Sequence, residues 1–374
     1  MSKRIKILQI VGARPQIIKS AALQYAVDEG YKGQIELLSL HTGQHFDRAM
    51  SEVFYKEMGI RPADIQLDAG EGTHAEQTAS IMLSCEAAFK MSRPDAVLVY
   101  GDTNSTLASA LAAYHAGIPV IHVEAGLRSF NKLMPEECNR LAADHVSSLL
   151  FVPSKKALEL LAKEGIAYRE GPCSTSHPKV IDSGDLMYDN SLRYAGRSYT
   201  SPALNKLDLD RDFILATCHR PSNTDDPQVL EGIFDCLANI ATEQCRVILP
   251  VHPRLKKHAA LLTRYQGMKN LILTEPMSFL EMTQLESKCS MVITDSGGVQ
   301  KEAFYFKKPC IVMREETEWT ELVTHGNAIL CGNNPARIKA GVKAFEKKKL
   351  DFPDFYGTGD SGKRICASII KYLG

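Results

Sequence analysis

The 374-residue sequence has no excess charge of either sign: Lys and Arg total 44, and Asp and Glu also total 44. A balanced chain offers no general field to hold a nucleic-acid backbone or an anionic membrane surface, so any anion site must be local. It has no C-x-x-C pair among its ten cysteines, which are scattered from Cys85 to Cys366. That spacing argues against a disulfide framework or a structural zinc site and suits free thiols in a reducing cytosol. It has no apolar run approaching the ~18 residues of a membrane span, and its first residues lack a signal-peptide core. A soluble cytoplasmic protein is expected. Histidines at metal-ligand spacing are missing as well, so no metal is expected.

What is present is a rhythm. Short Val/Ile-rich runs at Ile5–Val11, Ala96–Tyr100, Val120–Val123 and Leu149–Val152 alternate with longer helical patterns, the βαβ signature of a parallel sheet buried on both faces. The rhythm restarts after residue 200 with 213–216, Arg246–Pro250, Leu271–Thr274, Met291–Thr294 and 310–313. The length also suits two domains better than one core. Turn formers crowd residues 169–178 and 193–202, which places the connection near 185–205. The fold class expected is α/β, two Rossmann-like domains with a deep interdomain cleft. The domains are residues 1–190, joined by a C-terminal helix over 363–374 on analogy with other two-domain α/β enzymes, and residues 200–360.

Ligands of open parallel sheets sit beyond the carboxyl ends of the strands, and there the chain places its unusual residues. Gly12-Ala13-Arg14-Pro15 turns from the first strand into a helix, setting Arg14 and Lys19 where an anion would lie. Asp102, after Tyr100-Gly101, either caps the next helix or faces inward as an acid. His122-Val123-Glu124-Ala125-Gly126-Leu127-Arg128 ends the next strand, and Pro135-Glu136-Glu137 opens a helix on which Glu136 and Arg140, four apart, share a face. In the second half His219 and Arg220 follow a strand, a proton carrier beside a bidentate phosphate ligand. His252, between Val and Pro, reads as structural. Asp295-Ser296-Gly297-Gly298 opens a helix with unpaired N–H groups suited to phosphate, and Glu302 one turn on could accept from a ribose. Gly357-Thr358-Gly359-Asp360-Ser361-Gly362 matches G-x-G-x-x-G but follows no strand, which excludes a dinucleotide fingerprint. Those glycines read as a flexible loop at the cleft, and no cofactor is expected.

In this order the motifs resemble the non-hydrolysing UDP-N-acetylglucosamine 2-epimerases from Gly12 to about Arg364. The resemblance implies the double-Rossmann architecture shared with the GT-B glycosyltransferases, a homodimer, and UDP held mainly by the C-terminal domain. It implies Asp102, Glu124, Glu136 and His219 as catalytic candidates. It places Arg14, Lys19, Arg128, Arg140, Arg220, Ser296, Gly297, Gly298 and Glu302 on the UDP-sugar. The run 128–137, the segment 299–306 and especially Thr317-Glu318-Trp319-Thr320-Glu321 look like the subgroup acting on UDP-2,3-diacetamido-2,3-dideoxy-glucuronate for surface polysaccharide such as O-antigen. The plain N-acetylglucosamine enzymes usually carry Arg-Pro where Trp319 and Thr320 stand. Two departures are visible: Ser222 where the family generally has Glu, and Phe46-Asp47 after Gln44-His45, where many bacterial members help hold a second, activating UDP-sugar. The C2 hydrogen is not α to a carbonyl, so the implied chemistry eliminates UDP to a glycal and re-adds it, needing acids by the sugar and cations or N–H groups by the phosphates. A uronate would add a carboxylate, for which Arg14, Lys19, Arg128 and Arg140 are candidates. The rivals are a plain UDP-N-acetylglucosamine 2-epimerase, a GT-B glycosyltransferase, a hydrolysing epimerase and a non-catalytic UDP-sugar sensor.

Overall fold

A computed structural model describes residues 4–44, 55–69, 72–197 and 199–374. The chain divides into two compact units, Met1–Asn190 with Asp354–Gly374, and Ser191–Pro353. In the first unit β1 (Ile5–Val11), β2 (Ile35–His41), β3 (Ile65–Gln66), β4 (Ala96–Tyr100), β5 (Val120–Val123), β6 (Leu149–Val152) and β7 (Lys179–Asp182) form one sheet in the order β3-β2-β1-β4-β5-β6-β7. In the second, β8 (Phe213–Thr217), β9 (Arg246–Pro250), β10 (Leu271–Thr274), β11 (Met291–Thr294), β12 (Cys310–Val312) and β13 (Ala328–Leu330) run β10-β9-β8-β11-β12-β13. Every pairing is parallel.

Helices on both faces explain why the strands read as continuous apolar runs; all five residues of β4 are buried. The helix Asn104–His115 buries Ala108, Ala110, Ala112 and Ala113, small side chains that let it lie close to helix His74–Ser92. Both helices start at a threonine, Thr103 and Thr73, whose hydroxyl accepts the N–H three residues on. All ten cysteines are free. Among the described residues no helix is long and apolar enough to cross a membrane, and no group of three His, Cys, Asp or Glu side chains is placed to hold a metal.

The sequence reading puts residues 354–360 in the second domain; the structure puts them in the first. The Tyr356 carbonyl accepts the Asp185 N–H at 3.0 Å, and the Asp189 carboxylate accepts the N–H groups of Ser361 and Gly362 at 3.0 and 2.8 Å. The G-x-G-x-x-G stretch is therefore a loop anchored to the first unit that leads into helix Ser361–Leu373, which packs on helix Arg14–Ala26. Each sheet reverses its strand order once, between β1 and β4 and between β8 and β11. Such reversals leave a crevice outside the strands' carboxyl ends, and both crevices receive the turns singled out in the sequence.

Candidate functional site

In the first unit the turns after β1 and β4 are locked together. A Cβ on Gly12 would overlap the hydroxyls of Ser105 and Thr42, so only glycine fits there. The buried Gln16 side chain accepts the N–H groups of Gly12 and Ala13 at 2.8 and 3.1 Å and donates to the Tyr100 carbonyl at 2.8 Å. Arg14 begins the helix and is exposed.

Gly101 adopts φ +62°, and a Cβ there would come within 3.2 Å of Glu124 Oε2, so the turn needs glycine on both counts. Because Thr103 caps the helix, the Asp102 side chain is not the cap; it accepts from the Arg140 guanidinium. This removes the capping alternative for Asp102 and leaves its carboxylate paired with Arg140. Arg140 also donates to Glu137 at 2.8 Å, and Glu137 in turn accepts the N–H groups of Ser129 and Phe130 at 2.8 and 3.0 Å. The expected Glu136–Arg140 face is thus replaced by Glu137–Arg140, and Glu136 stands exposed in the first helical turn.

Glu124 has φ +68°, a left-handed conformation that costs a side-chain-bearing residue on the order of 1–3 kcal/mol. The neighbouring Gly101 N–H to Val123 carbonyl and Ala125 N–H to Phe151 carbonyl bonds, both 3.0 Å, hold it there. Its carboxylate accepts from the buried Lys19 ammonium. Lys19 is therefore an ion-pair partner of an acid rather than a solitary anion ligand.

Arg128 corrects the sequence reading. Its side chain is buried, with NH1 2.7 Å from Asp144 and Nε and NH2 at 2.8 and 2.6 Å from Glu164, so its charge is paired inside the unit. Gln44 accepts from the Ser105 N–H at 2.9 Å, whereas His45, Phe46 and Asp47 lie outside the described residues.

In the second unit one buried carboxylate organises the site. Asp295 accepts the N–H of His219 at 2.9 Å, the N–H of Arg220 at 2.8 Å and the Asn223 amide at 3.0 Å, and lies 3.0 Å from His219 Nδ1. Burial works to raise the Asp295 carboxyl, but the His219 ring and the two backbone N–H groups outweigh it and hold it below the usual carboxylate range. With Nδ1 committed to Asp295, His219 presents Nε2 on the opposite side of its ring. Arg220 Nε is tied to the Asp295 carbonyl at 3.1 Å. His252 stacks 5.1 Å from His219 and accepts the Arg254 N–H through Nδ1, a supporting role. Ser222, where an acid was expected from the resemblance, is exposed and outside the Asp295 cluster.

Ser296 caps helix Gly297–Tyr305 through its hydroxyl, leaving the N–H groups of the first turn, including Gly297 and Gly298, without intrahelical acceptors. The Trp319 indole donates to the Gly297 carbonyl at 2.8 Å, Lys301 lies 4.2 Å over the indole, and Arg314 holds Glu318 through two 2.9 Å bonds. The charged segment of the sequence is thus a brace behind the glycine turn. Glu302 shares a hydrogen bond with Glu286, a fully buried carboxyl pushed well above its ordinary range by burial and by Glu302.

Sequence reasoning overlooked His122, Glu137, Asn139, Asp144 and Asp295 as organising residues. Their one visible signal is a polar residue where the pattern wants an apolar one: Glu137, Asn139 and Asp144 are all buried on helix Pro135–Val146.

The profile of the UDP-N-acetylglucosamine 2-epimerase family matches residues 30–370. The UDP-2,3-diacetamido-2,3-dideoxy-D-glucuronate 2-epimerase of Pseudomonas aeruginosa is 42% identical over 98% of this chain and 100% of its own. The UDP-N-acetylglucosamine 2-epimerase of Methanocaldococcus jannaschii is 36% identical over 96% of this chain and 98% of its own. A crystal structure of the M. jannaschii enzyme with UDP-GlcNAc and UDP superposes with a TM-score of 0.81 at 35% identity, covering 98% of this chain and 100% of that one.

Proposed function

As the chain belongs to the UDP-N-acetylglucosamine 2-epimerase family and is by that membership a UDP-sugar isomerase, we propose that its substrate is UDP-2,3-diacetamido-2,3-dideoxy-D-glucuronate, epimerised at C2 to the mannuronate form. The observation that carries the acid chemistry is the pair of carboxylates, Asp102 and Glu124, at the carboxyl ends of β4 and β5, each seated on its own cation, Arg140 and Lys19. A glycosyltransferase needs the phosphate turn but has no use for such a set.

In the proposed reaction a carboxylate takes the C2 proton, the C–H pair becomes the C1=C2 bond of a glycal, and UDP departs with the C1–O electrons. Re-addition of the diphosphate oxygen at C1 and proton delivery to the other face of C2 give the epimer, with no net loss of UDP. Asp102, Glu124 and the exposed Glu136 are the acids for removal, return and stabilisation of positive charge at C1. His219, Arg220 and the N–H groups of Ser296–Gly298 take the charge that grows on the diphosphate, and Glu302 accepts from the ribose. The placement of the cations supports the uronate. Lys19 and Arg128 are buried against carboxylates and Arg140 is half-buried between Asp102 and Glu137, whereas Arg14 is exposed at the mouth of the β1 turn, with Glu57 as an electrostatic neighbour. We assign Arg14 to the C6 carboxylate. A cytoplasmic homodimer feeding surface-polysaccharide assembly belongs to the same proposal.

The test is proton NMR in deuterated water with the diacetamido-glucuronate and with UDP-N-acetylglucosamine in parallel. A manno product carrying deuterium at C2 from the uronate supports the proposal. The same product from UDP-N-acetylglucosamine alone moves the enzyme to the plain subgroup. Free sugar and UDP would mean hydrolysis, and binding without exchange would sink the epimerase reading.

A further inference from the structure

Beneath the turns bearing Asp102 and Glu124 lies a histidine to which the proposed reaction assigns nothing. His122, on β5, is fully buried. Its Nδ1 is 2.7 Å from Asp144 Oδ1 and its Nε2 is 2.8 Å from the Gly101 carbonyl oxygen. Both partners are acceptors, a carboxylate and a carbonyl. A neutral imidazole has one N–H and one lone pair, so it satisfies one of them and sets its lone pair against the other. Two hydrogen bonds require two ring protons and a positive charge.

The surroundings fit a buried cation. Asp144 is fully buried, and besides His122 it meets Arg128 at 2.7 Å and the Gly126 N–H at 3.2 Å; Arg128 then meets Glu164. With both ring nitrogens of His122 protonated, two cations and two carboxylates alternate and the cluster is neutral as a whole. Burial favours the neutral acid, yet His122 and Arg128 outweigh it and hold Asp144 ionised. The turn that this cluster grips is the one carrying Asp102. The Gly101 carbonyl is held by His122, the Gly101 N–H by the Val123 carbonyl at 3.0 Å, and the Asp102 carbonyl by Asn139 at 2.9 Å.

We propose that His122 is a positioning residue that fixes the Gly101–Asp102 turn by donating Nε2–H to the Gly101 carbonyl while Nδ1–H is donated to Asp144. The inference rests on the reading of Asp102 as a reacting acid. His122 touches no substrate; it acts through the peptide before Asp102, whose glycine could otherwise turn in several ways.

The two amide side chains that mimic histidine separate this role from mere packing. The glutamine amide reaches as far as Nε2 and keeps a donor on the Gly101 carbonyl; the asparagine amide reaches only as far as Nδ1 and abandons it. Both delete the ring, so His122→Gln and His122→Asn should lower the melting temperature alike. His122→Gln should keep C2 deuterium exchange within roughly tenfold of wild type, while His122→Asn should lose about a hundredfold in kcat, the scale of a small misplacement, with KM little changed. In protein labelled with 15N-histidine, His122 should show two slowly exchanging ring N–H protons. Equal slowing by both variants, a loss confined to KM, or a single ring N–H would overturn the proposal. Asp102→Asn is measured beside them. Exchange at the wild-type rate in that variant removes the reading of Asp102 and the role of His122 together. Slow exchange there, with His122→Gln and His122→Asn equally impaired, removes the positioning role alone.

Discussion

Replacing Glu124 by Gln keeps the size and removes the charge, which makes it a sharp probe of the first unit. Two effects should appear, and they differ in origin. The Lys19 ammonium loses its counter-ion in a setting where the two side chains are 11% and 14% exposed. Breaking a fully buried pair costs ~3–5 kcal/mol, and residual exposure puts this one at the low end or below. Separately, loss of a proton-transfer group should slow C2 exchange by about 10²–10⁴. That is roughly 2.7–5.5 kcal/mol of barrier. A second substitution, Lys19→Met, separates them: with both charges gone, the double variant should recover stability to within about 1 kcal/mol of wild type, because no charge is left unpaired. It should not recover exchange. Thermal or urea unfolding reads the first effect and deuterium wash-in by NMR the second. If Glu124→Gln exchanges at more than a tenth of the wild-type rate, Glu124 moves no proton. If the double variant regains exchange along with stability, Glu124 matters only as a partner for Lys19.

Asp295 should make stability pH-dependent. Its folded-state carboxyl lies below the ordinary value of about 3.9, so the stability it confers is complete above about pH 5 and is lost as pH falls through 3.9 towards the folded value. The gap in unfolding free energy between wild type and Asp295→Asn should therefore narrow from pH 7 to pH 3, and a constant gap would contradict the assignment. Trp319 is the sole tryptophan, and through its bond to the Gly297 carbonyl its fluorescence should report UDP arriving at the glycine turn. Trp319→Phe, losing one hydrogen bond worth about 0.5–1.5 kcal/mol, should weaken UDP binding by roughly threefold to tenfold. Unchanged affinity and a silent signal would remove the brace from the site. Arg14→Gln should raise KM for the uronate by at least about tenfold, the loss of one charge-assisted contact, while leaving UDP-N-acetylglucosamine binding nearly unaltered. Equal effects on the two sugars would move the C6 contact elsewhere.

The alternation of Val/Ile runs with helical stretches was enough to read two parallel-sheet units, because strands covered on both faces are apolar along their whole length. The residues at strand ends were legible for a related reason: a charged side chain just past an apolar strand has little structural excuse. Legibility failed where one motif holds several charges of the same kind. Glu136 and Glu137 are adjacent, and periodicity alone did not say that Glu137 faces inward to Arg140 while Glu136 faces out. Arg128 looked like a ligand because its partners, Asp144 and Glu164, lie on two later helices or their ends; only tertiary structure brings them together. The placement of residues 354–360 was missed likewise, since it rests on Asp185 and Asp189, far back in the chain.

The two units solve the same problem in the same way. Each carries functional turns at the reversal point of its sheet, and each ties neighbouring turns to a single buried carboxylate: Asp144 grips His122 and the Gly126 N–H, and Asp295 grips the N–H groups of His219 and Arg220. A backbone turn with glycine in it is mobile by nature, and a reacting group mounted on it needs placement to a fraction of an ångström. A buried carboxylate supplies that placement well, because it accepts several N–H bonds at once and leaves a large penalty for any movement that unpairs it. The residues that touch substrate are then free to be chosen for chemistry alone. It follows that conservative changes at Asp144 and Asp295, which the proposed reaction never contacts, should lower turnover more than changes at many exposed groups that it does.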